Sequence, residues 1–174
     1  MQKGIIILGS ARSDGDCAVA VNYFQEITGF DVLDLKEKNI KHYDYQYKKN
    51  LDDDFNALFK ELVTTYDILV FATPVYWYTM SGRMKVFFDR ISDFLHNEKE
   101  YGRLLRGKMM AVISCSNTDD VTEEFEIPFQ KSAAYLGMDY VGHQHVVINQ
   151  TVLDQKNQGS LNALRDLISK RTRN

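Results

Sequence analysis

Residues 4–9 read GIIILG, an apolar run that does not alternate with polar residues. A strand with one wet face must alternate, because successive side chains point to opposite faces. A run without alternation fits a strand buried on both faces, as in a parallel sheet covered front and back by its crossover helices. Further apolar strands read at Asp67–Ala72 and Lys108–Ser114, and helical spacing lies between them. Asp16–Thr28 carries Val19, Ala20, Tyr23, Phe24 and Ile27 on one helical face and stops at Gly29. Phe30–Leu35 is a second strand, followed by KEKNIKHYDYQYKKN, a polar, tyrosine-rich connection. Asp52–Tyr66, Met80–Leu95, Thr122–Leu136 and Ser160–Arg171 have helical periodicity, and Met138–Ile148 holds a fifth strand. Pro128 breaks or kinks its helix, or sets the helix start near residue 127. The order β-α-β-α-β-α-β-α-β-α predicts an α/β three-layer sandwich on a parallel sheet, with right-handed crossovers.

The 174 residues suit one domain spanning 1–174. A net charge of −3 leaves no basic footprint for nucleic acid. Cys17 and Cys115 form no CxxC pair, which disfavours a zinc or clustered iron–sulfur site. The apolar run near the start is too short for a signal peptide, and none reaches membrane-spanning length. The expected setting is cytoplasmic, with no membrane partner.

Two loops stand out. Gly9-Ser10-Ala11-Arg12-Ser13-Asp14-Gly15-Asp16-Cys17 joins the first strand to the first helix. A phosphate there would meet backbone N–H groups, the Ser10 and Ser13 hydroxyls and the Arg12 guanidinium. Neither GxGxxG nor a Walker loop is present. The bland reading is a turn with helix caps. The second loop follows the third strand, which stops at Pro74. Tyr76, Trp77 and Tyr78 are consecutive aromatics, and they cannot all enter a core from one strand. A loop presenting flat rings at the carboxyl end of a buried strand points to a ligand. Interface packing is the competing reading for these rings.

Together the loops resemble those of the flavodoxin-like NAD(P)H-dependent FMN reductases. GSARSDGD at 9–16 and TPVYWYTMSGRMKVFFDR at 73–90 carry the resemblance, through Pro74, Val75, Tyr76, Trp77, Ser81, Gly82, Lys85, Phe87 or Phe88, Asp89 and Arg90. It implies a flavodoxin-like, five-stranded parallel sheet in order 2-1-3-4-5. It implies FMN as cofactor, with the 5′-phosphate held by Ser10, Arg12, Ser13, Gly15, Asp16 and Cys17. The ring system would lie on Pro74, Val75, Tyr76, Trp77 and Tyr78, and a loop of Ser114, Cys115, Ser116, Asn117 and Thr118 would close the other edge. The implied partners are NAD(P)H as co-substrate, a small-molecule electron acceptor and a second copy in a homodimer. Where the family has Gly-Asn-Thr, this chain has Gly15-Asp16-Cys17, so looser binding is expected at the phosphate end.

The expected function is an FMN-dependent oxidoreductase passing a hydride from NAD(P)H to a quinone, free flavin or similar acceptor. The flavin carries that chemistry, so no catalytic side chain is assigned. The alternatives are a flavodoxin-like electron carrier and a flavin-free binding protein on the same fold. Lys85, Asp89 and Arg90 read as ion-pairing residues, and Asp52-Asp53-Asp54 as an acidic helix start. His143 and His145 share a strand face, but no acidic partner is fixed and a metal is not expected. Tyr43, Tyr45 and Tyr47 would cover the flavin mouth or line a dimer surface.

Overall fold

β1 (Gly4–Leu8) is buried along its whole length, and its side chains divide between two cores. The structure is a computed structural model that describes residues 2–45, 52–149 and 152–172. Ile5 and Ile7 enter one core with α2 (Phe55–Thr65), α3 (Gly82–His96) and α5 (Ile127–Leu136). Ile6 and Leu8 enter the other with α1 (Asp16–Thr28) and α6 (Gln155–Arg171). This is the three-layer arrangement that the non-alternating runs require.

The parallel strands run β2-β1-β3-β5-β6, with β2 at Asp31–Asp34, β3 at Ile68–Tyr76, β5 at Met109–Ser116 and β6 at Asp139–Val147. Counting only these five gives the expected 2-1-3-4-5 order. The difference is a sixth strand, β4 (Thr79–Met80), which folds back antiparallel on the end of β3. It shifts the strand numbers without changing the order of the parallel strands.

Several boundaries move for local reasons. A short turn at Glu123–Phe125 precedes α5, and Pro128 sits in the first turn of α5, where its missing N–H costs nothing. α6 starts at Gln155, ahead of Ser160, because Asp154 Oδ1 caps it by accepting from Asn157 N–H at 2.8 Å. The buried Asn157 amide then bonds both the N–H and the carbonyl of Val147, at 3.0 and 2.8 Å, closing the end of β6. A five-residue helix, α4 (Lys99–Arg103), packs beside the end of α3.

Arg90 binds the long connection to the core. Lys85 and Asp89 form an exposed pair at 2.5 Å, but the Arg90 side chain is only 5% exposed. Its guanidinium donates to Asp53 Oδ2 at 2.7 Å, Asp93 Oδ2 at 2.6 Å and the Lys41 carbonyl at 2.9 Å, and it lies 4.8 Å from the Phe55 ring centroid. Asp53 therefore does more than begin a helix. Its carboxylate also accepts from Lys41 N–H at 2.6 Å and Phe55 N–H at 2.7 Å. Tyr43 and Tyr45 leave this anchor as an edge-to-face pair at 5.0 Å, and Tyr47 lies outside the described residues.

Burial alone would raise the Asp53 carboxyl, but the hydrogen bonds from Arg90, Lys41 and Phe55 outweigh it and hold its pKa below 3.8. A depressed carboxylate contributes stability that is complete above its unfolded pKa and is lost as the pH falls through the folded one. Asp53→Asn strands a buried guanidinium and is expected to cost about 3 kcal/mol in urea unfolding at pH 7. The gap to wild type should narrow below pH 3.8. A gap that stays constant down to pH 3 would show that the ion pair is not its source.

Candidate functional site

Leu8 pairs with Ala72, and Ala72 with Ile113, so β1, β3 and β5 deliver their loops side by side at one sheet edge. The order β2-β1-β3 reverses direction here, which is where open α/β sheets form a crevice.

The first loop begins at Gly9, whose N–H donates to the Ala72 carbonyl at 2.8 Å. A Cβ on Gly9 would lie 2.9 Å from Met84 Cβ and 3.3 Å from Met84 Cα, so glycine is what lets α3 pass this close. Ser10 is buried and accepts from Arg12 N–H at 3.2 Å. Arg12 folds back over Gly15, its Nε 3.2 Å from where a Cβ would stand. Arg12, Ser13 and Asp14 are exposed. Gly15 is the N-cap of α1 and has no side chain to cap it. Ala18 and Val19 N–H both reach the Gly15 carbonyl, at 2.9 and 3.4 Å. The N–H groups of Asp16 and Cys17 meet no protein partner among the described residues. An anion at this point would find free donors and the positive end of the helix dipole.

Cys17 does not face this mouth. Its side chain is buried in the core that also takes Cys115. Its contribution to the loop is its backbone N–H.

The second loop is a hairpin. β3 does not stop at Pro74: Thr73 and Pro74 still pair with Ser114 and Cys115, and Val75 and Tyr76 pair with Met80 and Thr79. Trp77 and Tyr78 form the turn, at φ 51° and 61°. Tight two-residue hairpin turns favour positive φ, usually supplied by Asn-Gly. Two aromatics here cost about 1–2 kcal/mol each, and strain of this kind concentrates at functional sites. Tyr76, Trp77 and Tyr78 are 50%, 93% and 65% exposed, so none of them serves the core.

Ser81 ties the two loops together. Its buried hydroxyl donates to the Gly9 carbonyl and accepts from Met84 N–H at 3.1 Å, capping α3. Its own N–H donates to Thr73 Oγ1 at 3.0 Å.

The sequence ends this strand at Ser114, but β5 continues through Cys115 and Ser116, which the resemblance places in a loop. Strand alternation then turns Cys115 inward, away from the mouth. Burial, with the Cys17 hydrogen bond adding to it, pushes the Cys115 thiol well up, so it stays protonated. Ser114 is buried against His143 and His145, while Ser116 is half-buried and Asn117 and Thr118 are exposed at the edge. No group of acids, cysteines and histidines among the described residues is placed to hold a metal ion.

The sequence pattern of the NADPH-dependent FMN reductase family matches residues 3–152. The chain belongs to this family. YwqN of Bacillus subtilis (strain 168), a candidate NAD(P)H-dependent FMN-containing oxidoreductase, is 25% identical over an alignment 153 residues long that covers 81% of this chain and 82% of YwqN. Two solved structures share the fold. FerB from Paracoccus denitrificans, a flavoenzyme NAD(P)H:(acceptor) oxidoreductase, superposes with TM-score 0.72 at 18% identity over 98% of both chains. The general stress protein 14 of Treponema denticola, in complex with FMN, superposes with TM-score 0.59 at 20% identity over 97% of both chains.

The strained turn generates a test. Trp77→Asn with Tyr78→Gly supplies residues that accept positive φ and should raise the unfolding free energy by about 1–2 kcal/mol. FMN affinity should fall in the same protein, because the rings are gone. An unchanged midpoint in urea would mean that the turn carries no strain.

Proposed function

We propose that this member of the NADPH-dependent FMN reductase family holds FMN across the three loops and uses it to pass a hydride from NAD(P)H to a small-molecule acceptor such as a quinone or free flavin. The observation that carries the proposal is the uncapped start of α1, with free N–H groups at Asp16 and Cys17, beside an exposed aromatic hairpin. The 5′-phosphate would take the N–H groups of Gly15, Asp16 and Cys17, the Ser10 and Ser13 hydroxyls and Arg12. Backbone N–H groups from Val75 to Tyr78 would face the ring edge, with Tyr76 and Trp77 bounding the pocket. Ser116 and Asn117 would meet the opposite edge. Bound FMN supplies the two-electron chemistry, and these residues orient it and leave one face open to NAD(P)H. FerB, which shares the fold, is itself an NAD(P)H:(acceptor) oxidoreductase.

The protein works as a homodimer in this reading. A cleft of about 290 Å³ between α3 and α5, lined by Phe88, Ile91, Leu95 and the 79%-exposed Tyr135, supplies apolar surface for a second copy. A reducing cytoplasm suits the two free, buried thiols. No helix among the described residues is long and apolar enough to cross a membrane.

The chain has a single tryptophan, so its fluorescence reports the hairpin tip directly. Titration with FMN should quench Trp77. Stopped-flow mixing of the loaded protein with NADPH should bleach the oxidised flavin band. Quenching without bleaching by either NADH or NADPH would mark an electron carrier, and no quenching with no flavin uptake would mark a flavin-free binding protein.

A further inference from the structure

Ser114 sits near the end of β5 with a fully buried side chain between two imidazoles. His143 Nε2 is 2.7 Å from its oxygen and His145 Nδ1 is 2.8 Å away. A hydroxyl has one hydrogen, so it donates to one ring and accepts from the other. The far side of His145 decides which. Its Nε2 lies 3.1 Å from the Thr118 carbonyl oxygen, which can only accept. A His145 ring with a single hydrogen therefore carries it on Nε2, and its bare Nδ1 accepts from Ser114. Ser114 must then accept from His143 Nε2–H. Ser116, whose oxygen lies 3.2 Å from the same His145 Nε2, agrees with this direction: its hydroxyl donates to the Thr118 carbonyl at 2.5 Å and accepts from Thr118 N–H at 3.2 Å, which leaves it an acceptor toward Nε2–H.

The surroundings hold His143 neutral. Burial pulls its pKa down to about 4, against the opposing charge of Glu126 and with His145 adding to the depression. The Phe125 ring packs over it at 5.2 Å between centroids. The sheet itself aims the rings. Met110 pairs with Tyr140 but Ala111 pairs with Gly142, so one extra residue, Val141, is inserted in β6. Without it, the register counted on from Met110 would set Gln144 opposite Ser114. With it, His145 takes that place.

We infer that His143, Ser114 and His145 form a one-directional hydrogen-bond relay, its direction set by the Thr118 carbonyl, that holds the His145 ring in place and so pins the 116–118 turn at the flavin edge. Ser114 and His143 are positioning residues, acting through His145 on a turn that is otherwise exposed. The inference rests on the proposed FMN site only for what the turn is held against.

Long-range proton–nitrogen spectra of the imidazoles test the relay in flavin-free, full-length protein at pH 7. His143 should be neutral, and the neutral form of each ring should be the Nε2–H tautomer; an Nδ1–H tautomer for either ring, or a cationic His143, would overturn the relay. Ser114→Ala should turn His143 into a tautomer mixture, because its Nε2–H loses its acceptor, and weaken FMN binding about fivefold in the Trp77 titration. A His143 that keeps a pure Nε2–H tautomer in this variant overturns the relay too. A wild-type chain that takes up no FMN overturns the cofactor reading instead, while the ring spectra still decide the relay.

Discussion

The hydroxyl of Ser81 sets the distance between the parts of this molecule that matter most. It bonds the carbonyl of Gly9 and the N–H of Met84, and the Ser81 N–H bonds Thr73. One residue thereby fixes the start of α3 against the ends of β1 and β3. A buried hydroxyl left without partners would cost about as much as the bonds it makes, so this knot holds as a unit or not at all. Gly9 is its necessary counterpart, because any Cβ there would meet the backbone of α3. The first loop and the aromatic hairpin consequently share one rigid base, and a ligand spanning both meets a fixed separation.

The same economy governs the charged interior. Arg90 lies under the long connection, and its guanidinium is satisfied by two carboxylates, a carbonyl and an aromatic face. A buried cation with fewer partners would destabilise the chain. Here it anchors Lys41 and Asp53, the two sides of a connection whose own sequence lacks any period. Phe55, stacked beside Phe59 and edge-on to Phe87, joins that anchor to the core. Structure at the tyrosine-rich end thus depends on contacts made far away in sequence.

The parts of the fold legible in the sequence were those with one dominant cause. GIIIL reads as a doubly buried strand, and the layered α/β class followed from the alternation of elements, while the strand order came with the resemblance to the FMN reductases. The hairpin was not legible, because Trp77 and Tyr78 adopt a backbone that their own preferences oppose. Pro74 read as the end of β3 for a similar reason: proline removes one donor, yet the strand can continue at a point where its ladder is ending. The error over Cys115 followed from reading β5 two residues short. Once the strand extends to Ser116, period two sends Ser114 and Cys115 to opposite faces. The pairing of Ser114 with two histidines depended on an inserted residue in β6, whose local signal is Gly142, a glycine within the strand at φ 148°.

The phosphate end of the proposed site shows what a substitution does when a neighbouring layer claims the side chain. The Gly-Asn-Thr pattern that this loop resembles has a hydroxyl at the position of Cys17, and a hydroxyl there would be a donor. The thiol instead packs inward against Cys115, beside α1 and β5, where an apolar atom is welcome. The core gains a contact and the mouth loses a donor. Asp16 stands at the first position of α1, where a carboxylate suits the helix dipole in the empty protein but would repel a phosphate dianion. Both changes favour the protein without ligand over the protein with it. In the proposed site both changes would loosen the phosphate end, so FMN would exchange more readily than with an amide and a hydroxyl at these two positions.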